Sequence, residues 1–229
     1  MNLDTLRSRL EHHYDASYAS FHSKLVPETR YPIHGVRIPI LRKIAKEISE
    51  APDLDQALEA QRASFAREVP TFEEVMVHLL TIAYRRDTPD EMHRRAQPSF
   101  SLIDNWAHCD TFSVTYAKNL FRDARGIEII HALICTHDLW TVRAGLVMTL
   151  SLKDEQRADF LDFLVTHAAD IDDSAVPVSM GLAWVLSQYI ATHPDQTQAL
   201  LNAWPFREDT LRRTYQKIRE SRRSVSPRL

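Results

Sequence analysis

Glycine is scarce in this sequence, with only four among 229 residues. Tight hairpin turns and β-bulges rely on glycine for their positive-φ positions, so this scarcity disfavours a β-rich architecture. Hydrophobic residues make up 44% of the chain and recur with helical periodicity from end to end, together with residues that commonly begin helices. The sequence therefore predicts an all-α protein.

Cysteine and long apolar runs are also scarce. The two cysteines, Cys109 and Cys135, cannot form a disulfide framework, and we expect both thiols to be reduced. No apolar run approaches the roughly 18 residues of a membrane span, and the N-terminal sequence MNLDTLRSRLEHHYD is charged where a signal peptide would be apolar. These features predict a cytoplasmic protein without a membrane partner.

The charge is unevenly distributed, although the net charge is only −3. Residues 207–229 contain eight basic and three acidic residues, whereas residues 153–195 contain eight acidic and two basic ones. The basic segment is compatible either with a solvated tail or with a polyanionic partner. No linker rich in glycine, proline or serine divides the chain, so we expect one domain over residues 1–229 that ends in this basic segment.

The periodic segments predict about eleven or twelve helices. Most fall into pairs joined by short connections, with a repeat length of about 35 to 45 residues, the range of HEAT-like and armadillo-like repeats. A stack of such pairs forms a curved solenoid whose concave face is a natural binding surface. Helices are predicted to start near Pro39, Asp53, Thr71, Asp110, Asp154, and Pro194 or Asp195.

An unusual tryptophan occurs in the segment 176–192. At 100° per residue, Trp184 lies about 200° from Leu182 and so faces away from the apolar stripe of this helix. It either packs against a neighbouring helix or forms an aromatic platform on the concave surface, with Gly181 leaving room beside it. The stripe itself consists of Leu182, Val185, Leu186 and Tyr189.

Arg143 lies at the edge of the apolar stripe of the helix LWTVRAGLVMTL. An arginine in this position needs a carboxylate, a carbonyl or a phosphate as its partner. A structural ion pair and a bidentate phosphate clamp are both compatible with the pattern.

The segment IDNWAHCD, at positions 103–110, combines Trp106 with Asp110 four residues later. Asp110 precedes an apolar helical run and could be the N-cap of a helix over 111–122. Alternatively, the pair presents an aromatic face beside an anion, which suits a positively charged group or a reaction that develops positive charge. Downstream, Lys118, Arg122 and Arg125 form a basic face that is either solvated or follows phosphates.

Metal and cofactor signatures are absent from the sequence. His131, Cys135 and His137, with His108 and Cys109 elsewhere, do not have the spacing of a zinc site, and no phosphate-binding glycine motif occurs. We therefore expect neither a metal nor a cofactor.

Six segments, in this order, cover most of the chain: HGVRIPILRKIAKEI, FEEVMVHLLTIAYRR, IDNWAHCD, WTVRAGLVMTL, AWVLSQY and TYQKIRESRR. Taken together, they resemble the AlkD-type DNA alkylation repair family, which consists of DNA glycosylases built from HEAT-like repeats.

The resemblance implies a monomeric glycosylase that removes N3- or N7-alkylated purines from double-stranded DNA. It assigns the family's catalytic aspartate to Asp110 and its two tryptophans to Trp106 and Trp184, which would line the sugar and phosphate backbone. Such a base leaves as a neutral molecule, so a carboxylate that stabilises the oxocarbenium-like sugar and positions water is sufficient. The expected DNA contacts are Arg143, Lys118, Arg122, Arg37, Arg42, Lys43, Arg212 and Arg213.

The sequence departs from the family pattern at three positions. Ala107 stands where an acidic residue often follows the first tryptophan, and Ser187 and Gln188 stand where a basic and an acidic residue often follow the second. Ser187 would remove a contact to the DNA backbone, which bears on affinity more than on chemistry. Two alternatives remain open: a non-catalytic module for damaged or branched DNA, and a protein-interaction solenoid that uses the acidic residues 153–195.

Overall fold

The computed structural model describes residues 3–221 and confirms the all-α prediction for this part of the chain. It contains thirteen α-helices, one more than the upper expectation, and no β-strand. None of these helices has the length and apolar character needed to cross a membrane. The helices are α1 Leu3–Glu11, α2 Ala16–Ser23, α3 Ile38–Ser49, α4 Leu54–Phe65, α5 Phe72–Tyr84, α6 Pro89–Ala96, α7 Trp106–Leu120, α8 Arg125–Ile134, α9 Leu139–Met148, α10 Asp154–Thr166, α11 Val176–Thr192, α12 Pro194–Ala203 and α13 Glu208–Glu220.

The helices group into two compact units, Met1–Arg122 and Asp123–Leu229. In the first unit α3 packs on α5, and α5 packs on α7. In the second, α9 packs on α8 and α11, and α11 packs on α13. Within each unit, helices that alternate along the chain therefore lie side by side, as expected of the predicted HEAT-like paired-helix repeats.

Helix α5 forms the centre of the first unit. Twelve of its thirteen residues are buried, from Phe72 through Ala83. The helix begins with a capping box, in which Thr71 accepts a hydrogen bond from the backbone N–H of Glu74 while the Glu74 side chain accepts one from that of Thr71. Because its N-terminus is satisfied and it is buried on all sides, α5 is the element around which its neighbours pack.

Glu73 is fully buried in the first turn of α5 and is satisfied by backbone donors. Its carboxylate accepts hydrogen bonds from the N–H groups of His34, Gly35 and Val36, with N–O distances of 2.7 to 3.3 Å. Gly35 has φ +88°, and a Cβ there would lie 2.1 Å from the carbonyl oxygen of Asp15. Only glycine therefore lets the chain turn its amides towards this carboxylate.

In the second unit, α11 confirms the predicted core stripe. Leu182, Val185, Leu186 and Tyr189 are all fully buried, and Trp184 is half-buried on the other side of the helix. Near the end of α11, Ile190 packs with Leu201 of α12 and Ile218 of α13.

Most predicted helix starts agree with the structure to within one or two residues. The start predicted at Asp110 is wrong, because α7 begins at Trp106 and has Asn105 as its N-cap. The two compact units do not by themselves test the prediction of a single domain, which stays a prediction.

Candidate functional site

The start of α7 places Trp106 and Asp110. The Asn105 side chain accepts a hydrogen bond from the backbone N–H of His108 at 2.9 Å. Asp110 is the fifth residue of the helix, and its carboxylate is therefore not the cap that the sequence allowed. The reason lies in the sequence, because an asparagine is at least as good an N-cap as an aspartate and this one stands a full turn earlier.

A buried histidine fixes the orientation of this cap. The ring Nε2 of His108 lies 3.0 Å from the carbonyl oxygen of Phe72, and its Nδ1 lies 2.8 Å from Nδ2 of Asn105. Since a carbonyl only accepts, Nε2 carries the proton and Nδ1 accepts from the Asn105 amide. The ring is also stacked on that of Phe72, with 4.1 Å between centroids. The first turn of α7 is thereby held against α5.

Asp104 ties the same turn to the segment after α2. Its carboxylate accepts hydrogen bonds from the Thr29 hydroxyl at 3.1 Å, the Arg30 backbone N–H at 2.8 Å and the Asn105 amide at 2.7 Å. Burial alone would raise the pKa of Asp104, but hydrogen bonds from the Arg30 backbone and the Asn105 amide favour the ionised form, and the pKa is lowered. The carboxylate therefore stays ionised and keeps residues 29–30 beside α7.

Trp106 is fixed at one edge and exposed elsewhere. Its indole Nε1 donates a hydrogen bond to the carbonyl oxygen of Leu25 at 3.0 Å, and the residue is 43% exposed. Because this hydrogen bond anchors the indole, the ring has little freedom to rotate and presents a fixed aromatic surface to solvent.

Asp110 follows Trp106 by one helical turn on the same ridge of α7. The ridge continues through Val114 and Lys118 to Arg122, which lies just beyond the helix end, and every member is partly or fully exposed. Each four-residue step advances about 6 Å along the axis, so Lys118 lies about 12 Å beyond Asp110. The α7 ridge, residues 106, 110, 114, 118 and 122, thus presents an indole, a carboxylate and two cations in this order.

The basic residues of α3 differ in their surroundings. The Arg42 guanidinium donates to Thr115 Oγ1 at 2.8 Å and to Tyr84 Oη at 3.2 Å, so this side chain joins α3, α5 and α7. Arg37 lies 3.4 Å from Asp15 and 4.5 Å above the ring of Tyr18. Lys43 is exposed. Of these three residues, Lys43 is best placed to meet a solvent-borne ligand.

In the second unit, Arg143 lies beside α11. The residue is only 7% exposed, and its Nη1 donates to the carbonyl oxygen of Pro177 at 2.8 Å. Its side chain crosses Gly181, where a Cβ would lie 3.6 Å from Arg143 Cγ. A carbonyl partner for Arg143 was among the possibilities that the sequence allowed. Trp184 stands one turn after Gly181, on the partly exposed side of α11.

Two basic residues of α13 pair with other side chains of the second unit. Arg212 pairs with Asp209 of its own helix, and Arg213 donates to the Ser179 hydroxyl at 2.6 Å. Positions 222–229 of the basic segment 207–229 lie outside the described residues. They include Arg222, Arg223 and Arg228.

The hydrogen bonds of Trp106 and Asp104 could not be predicted from the sequence. Their partners Leu25 and Thr29 lie 81 and 75 positions earlier, and no local pattern connects them. The Asn105 cap could have been found, because asparagine directly before a helical segment is a strong start signal.

Comparisons with known proteins address the chain as a whole. No curated protein matches the sequence. A comparison with protein families matches residues 4–223 to the family described as DNA alkylation repair enzyme. This match covers nearly the whole chain and agrees with the resemblance seen in its six segments. The chain belongs to the DNA alkylation repair enzyme family.

Proposed function

We propose that this protein is a DNA glycosylase that hydrolyses the N-glycosidic bond of positively charged N3- or N7-alkylpurines in double-stranded DNA. Asp110 is the electrostatic catalyst, and Trp106 forms an aromatic wall beside it. The family name gives the repair of alkylated DNA. Hydrolysis of the glycosidic bond is one specific reaction of such repair.

The observation that carries the proposal is the position of Asp110 on the α7 ridge. Asn105 caps the helix, so the Asp110 carboxylate is not used as an N-cap and instead lies on a partly exposed surface one turn from an anchored indole. A carboxylate beside a fixed aromatic face favours a ligand or transition state that carries positive charge.

The chemistry follows from the charge of the lesion. An N3- or N7-alkylated purine is cationic, so cleavage of its glycosidic bond releases a neutral base and needs little proton transfer to the leaving group. Positive charge develops on the deoxyribose, where Asp110 stabilises it and orients the water that attacks the sugar. This step uses no cofactor.

The two cations of the α7 ridge suit contacts with the phosphates of the DNA backbone. Lys118 and Arg122 are both exposed and follow Asp110 towards the carboxyl end of α7, which suits contact with a DNA strand whose sugar meets the carboxylate. In the second unit, the resemblance assigns Trp184 to the catalytic set and Arg143 to DNA contact. The partly exposed side of α11 supports the first assignment.

Base release from a duplex that contains N7-methylguanine tests the proposal. The comparison uses the wild type, Asp110→Asn, and Asp53→Asn as a control that removes an equal charge from an exposed position without a side-chain cap bond. We expect Asp110→Asn to lower the single-turnover rate by at least about 100-fold while DNA affinity changes little. Asp53→Asn should retain the full rate.

Other results would contradict the proposal in distinguishable ways. A wild type that binds the duplex without releasing base would make the protein a DNA-binding module. A wild type that does not bind DNA would instead favour a protein-interaction role for the acidic residues 153–195. Equal rates for the wild type and Asp110→Asn would leave a glycosylase but exclude Asp110 as its catalyst.

A further inference from the structure

Three potential metal ligands, none of them among the residues of the proposed function, meet in the second unit. The ligand atoms of Cys135, His167 and Asp170 all lie within 4.8 Å of one another. Cys135 and His167 are partly buried, and Asp170 is exposed. Thiolate, imidazole and carboxylate are the three side-chain groups that Zn²⁺ uses most often in proteins.

Two helix ends bring these residues together. Cys135 is the C-cap of α8, and His167 is the C-cap of α10. Asp170 ends the short 3-10 helix Ala168–Asp170 that follows. The carboxyl ends of two helices carry the negative ends of their dipoles, and both therefore favour a cation at this place.

The imidazole of His167 is held in position from two directions. Its ring lies 4.5 Å from that of Phe163, one turn earlier on α10, and the Phe163 ring is stacked on His131 at 3.8 Å. On the other side, its Nδ1 lies 3.0 Å from Oδ2 of Asp170. A ligand that is already oriented loses little conformational entropy when a metal binds.

The negative charge of Asp170 is not neutralised by a lysine or an arginine in the described part of the chain. In residues 3–221, no lysine or arginine forms an ion pair with Asp170, whose one ionic partner is His167. Burial raises the pKa of the Cys135 thiol, and the negative charge of Asp170 raises it further. Both effects favour the protonated thiol in the metal-free protein, so binding of a cation must release this proton.

We propose that Cys135, His167 and Asp170 bind one Zn²⁺ ion, which joins the end of α8 to the end of α10. The Cys135 thiol transfers its proton to solvent as the zinc–sulfur bond forms, and water completes a tetrahedral coordination shell. The site departs from our expectation of no metal, because His167 and Asp170 lie more than 30 positions from Cys135 and form no zinc spacing with it in the sequence.

Titration of the purified, chelator-treated full-length protein with Co²⁺ tests this site. Cobalt replaces zinc in tetrahedral sites, and a cobalt–thiolate bond gives a charge-transfer band in the near ultraviolet that carboxylate or imidazole ligands alone do not produce. We expect one Co²⁺ per chain, this band, displacement by Zn²⁺, and a higher Tm in the presence of Zn²⁺.

Variants assign the ligands. Cys135→Ser should abolish the charge-transfer band, and Asp170→Asn should weaken Co²⁺ binding by at least about 100-fold. Cys109→Ala removes the other thiol, and Asp162→Asn removes an exposed carboxylate from α10, so both controls should bind as the wild type does.

Two results would overturn the proposal. Absence of stoichiometric binding by the wild type would leave an ordinary ion pair between His167 and Asp170 beside a thiol. Binding that persists unchanged in Cys135→Ser and Asp170→Asn would place the metal elsewhere. Neither result depends on base release, so this test is independent of the proposed glycosylase activity.

Discussion

The indole of Trp106 donates its Nε1 hydrogen to the carbonyl oxygen of Leu25 at 3.0 Å. This bond joins the first residue of α7 to the segment that follows α2, 81 positions earlier in the chain. It fixes the aromatic surface beside Asp110 although 43% of the tryptophan is exposed.

Replacement of Trp106 tests whether this anchored surface serves the reaction. Trp106→Phe keeps an aromatic ring but removes the donor, so we expect a loss of about 1 kcal/mol in stability and a reduced rate of base release. Trp106→Ala removes the ring as well and should reduce the single-turnover rate further. An alanine variant with the wild-type rate would show that the indole has no part in catalysis.

The Asn105 cap should matter for stability as well as for the site. Asn105→Ala removes the acceptor of the His108 N–H and the donor to the His108 ring, and we expect a loss of about 1 to 3 kcal/mol in urea unfolding. Asp53→Ala is the matched control, because Asp53 holds the N-cap position of α4 without a side-chain cap bond. Its stability should change by less than about 0.5 kcal/mol. Equal losses in the two variants would contradict this role of Asn105.

Lys118 should contribute one phosphate contact. Lys118→Ala is expected to weaken duplex binding and to reduce the slope of log K against log salt concentration by about 0.9, because one fewer counterion is released. Fluorescence anisotropy over a range of salt concentrations measures this slope. Lys46→Ala removes an exposed lysine of α3 that was not among the expected DNA contacts, and it should leave the slope unchanged. A shared change in both variants would indicate a general effect of net charge.

Two helical glycines should respond in opposite ways to the same substitution. A Cβ at Gly145 would lie 2.7 Å from Cγ1 of Ile134, so Gly145→Ala should destabilise the protein by about 1 to 3 kcal/mol. At Gly181 the nearest atom would be at 3.5 Å, an ordinary contact, and alanine is the better helix former. Gly181→Ala should therefore be neutral or stabilise by up to about 1 kcal/mol in chemical unfolding. The opposite order would mean that α8 and α9 separate more easily than their packing indicates.

His78 should make the protein less stable in mild acid. The histidine is fully buried between Gln61 and Ser99, and burial lowers its pKa to about 3, with a further contribution from the charge of Arg62. Below about pH 6.5 the unfolded chain binds a proton at this position that the folded protein does not, so stability falls with pH. Between pH 7 and pH 5 this histidine alone removes roughly 2 kcal/mol.

The His78→Asn variant isolates this effect. It should be less stable than the wild type at pH 7, because it cannot reproduce both hydrogen bonds, but the difference should narrow by roughly 2 kcal/mol at pH 5. Urea unfolding at the two pH values measures it. A constant difference would mean that His78 titrates alike in both states.

Local features of the fold could be predicted from the sequence because they depend on residues within one or two turns. The Thr71 start of α5 and the buried stripe of α11 are of this kind, and the structure confirms both. The predicted start at Asp110 failed because Asn105, five residues earlier, is at least as strong a cap signal, and it is Asn105 that caps α7 in the structure.

The surroundings of the candidate residues could not be predicted. Leu25, Thr29 and Phe72 contact the start of α7 from segments 36 to 81 positions away, and their contacts depend on how the helices pack. The prediction that Arg143 needs a polar partner came from its place on an apolar stripe, but the identity of Pro177 as one such partner required the structure. The catalytic and DNA-binding assignments stay predictions.

The carboxylate of Glu73 limits which mutations this protein can accept. Aspartate is one methylene shorter and would not reach all three amides of residues 34–36, while glutamine would keep one oxygen for them but place its NH₂ group against the His34 N–H. Any residue other than glycine at position 35 would collide with the backbone of Asp15. Related sequences that keep this turn should therefore keep both glycine at position 35 and glutamate at position 73.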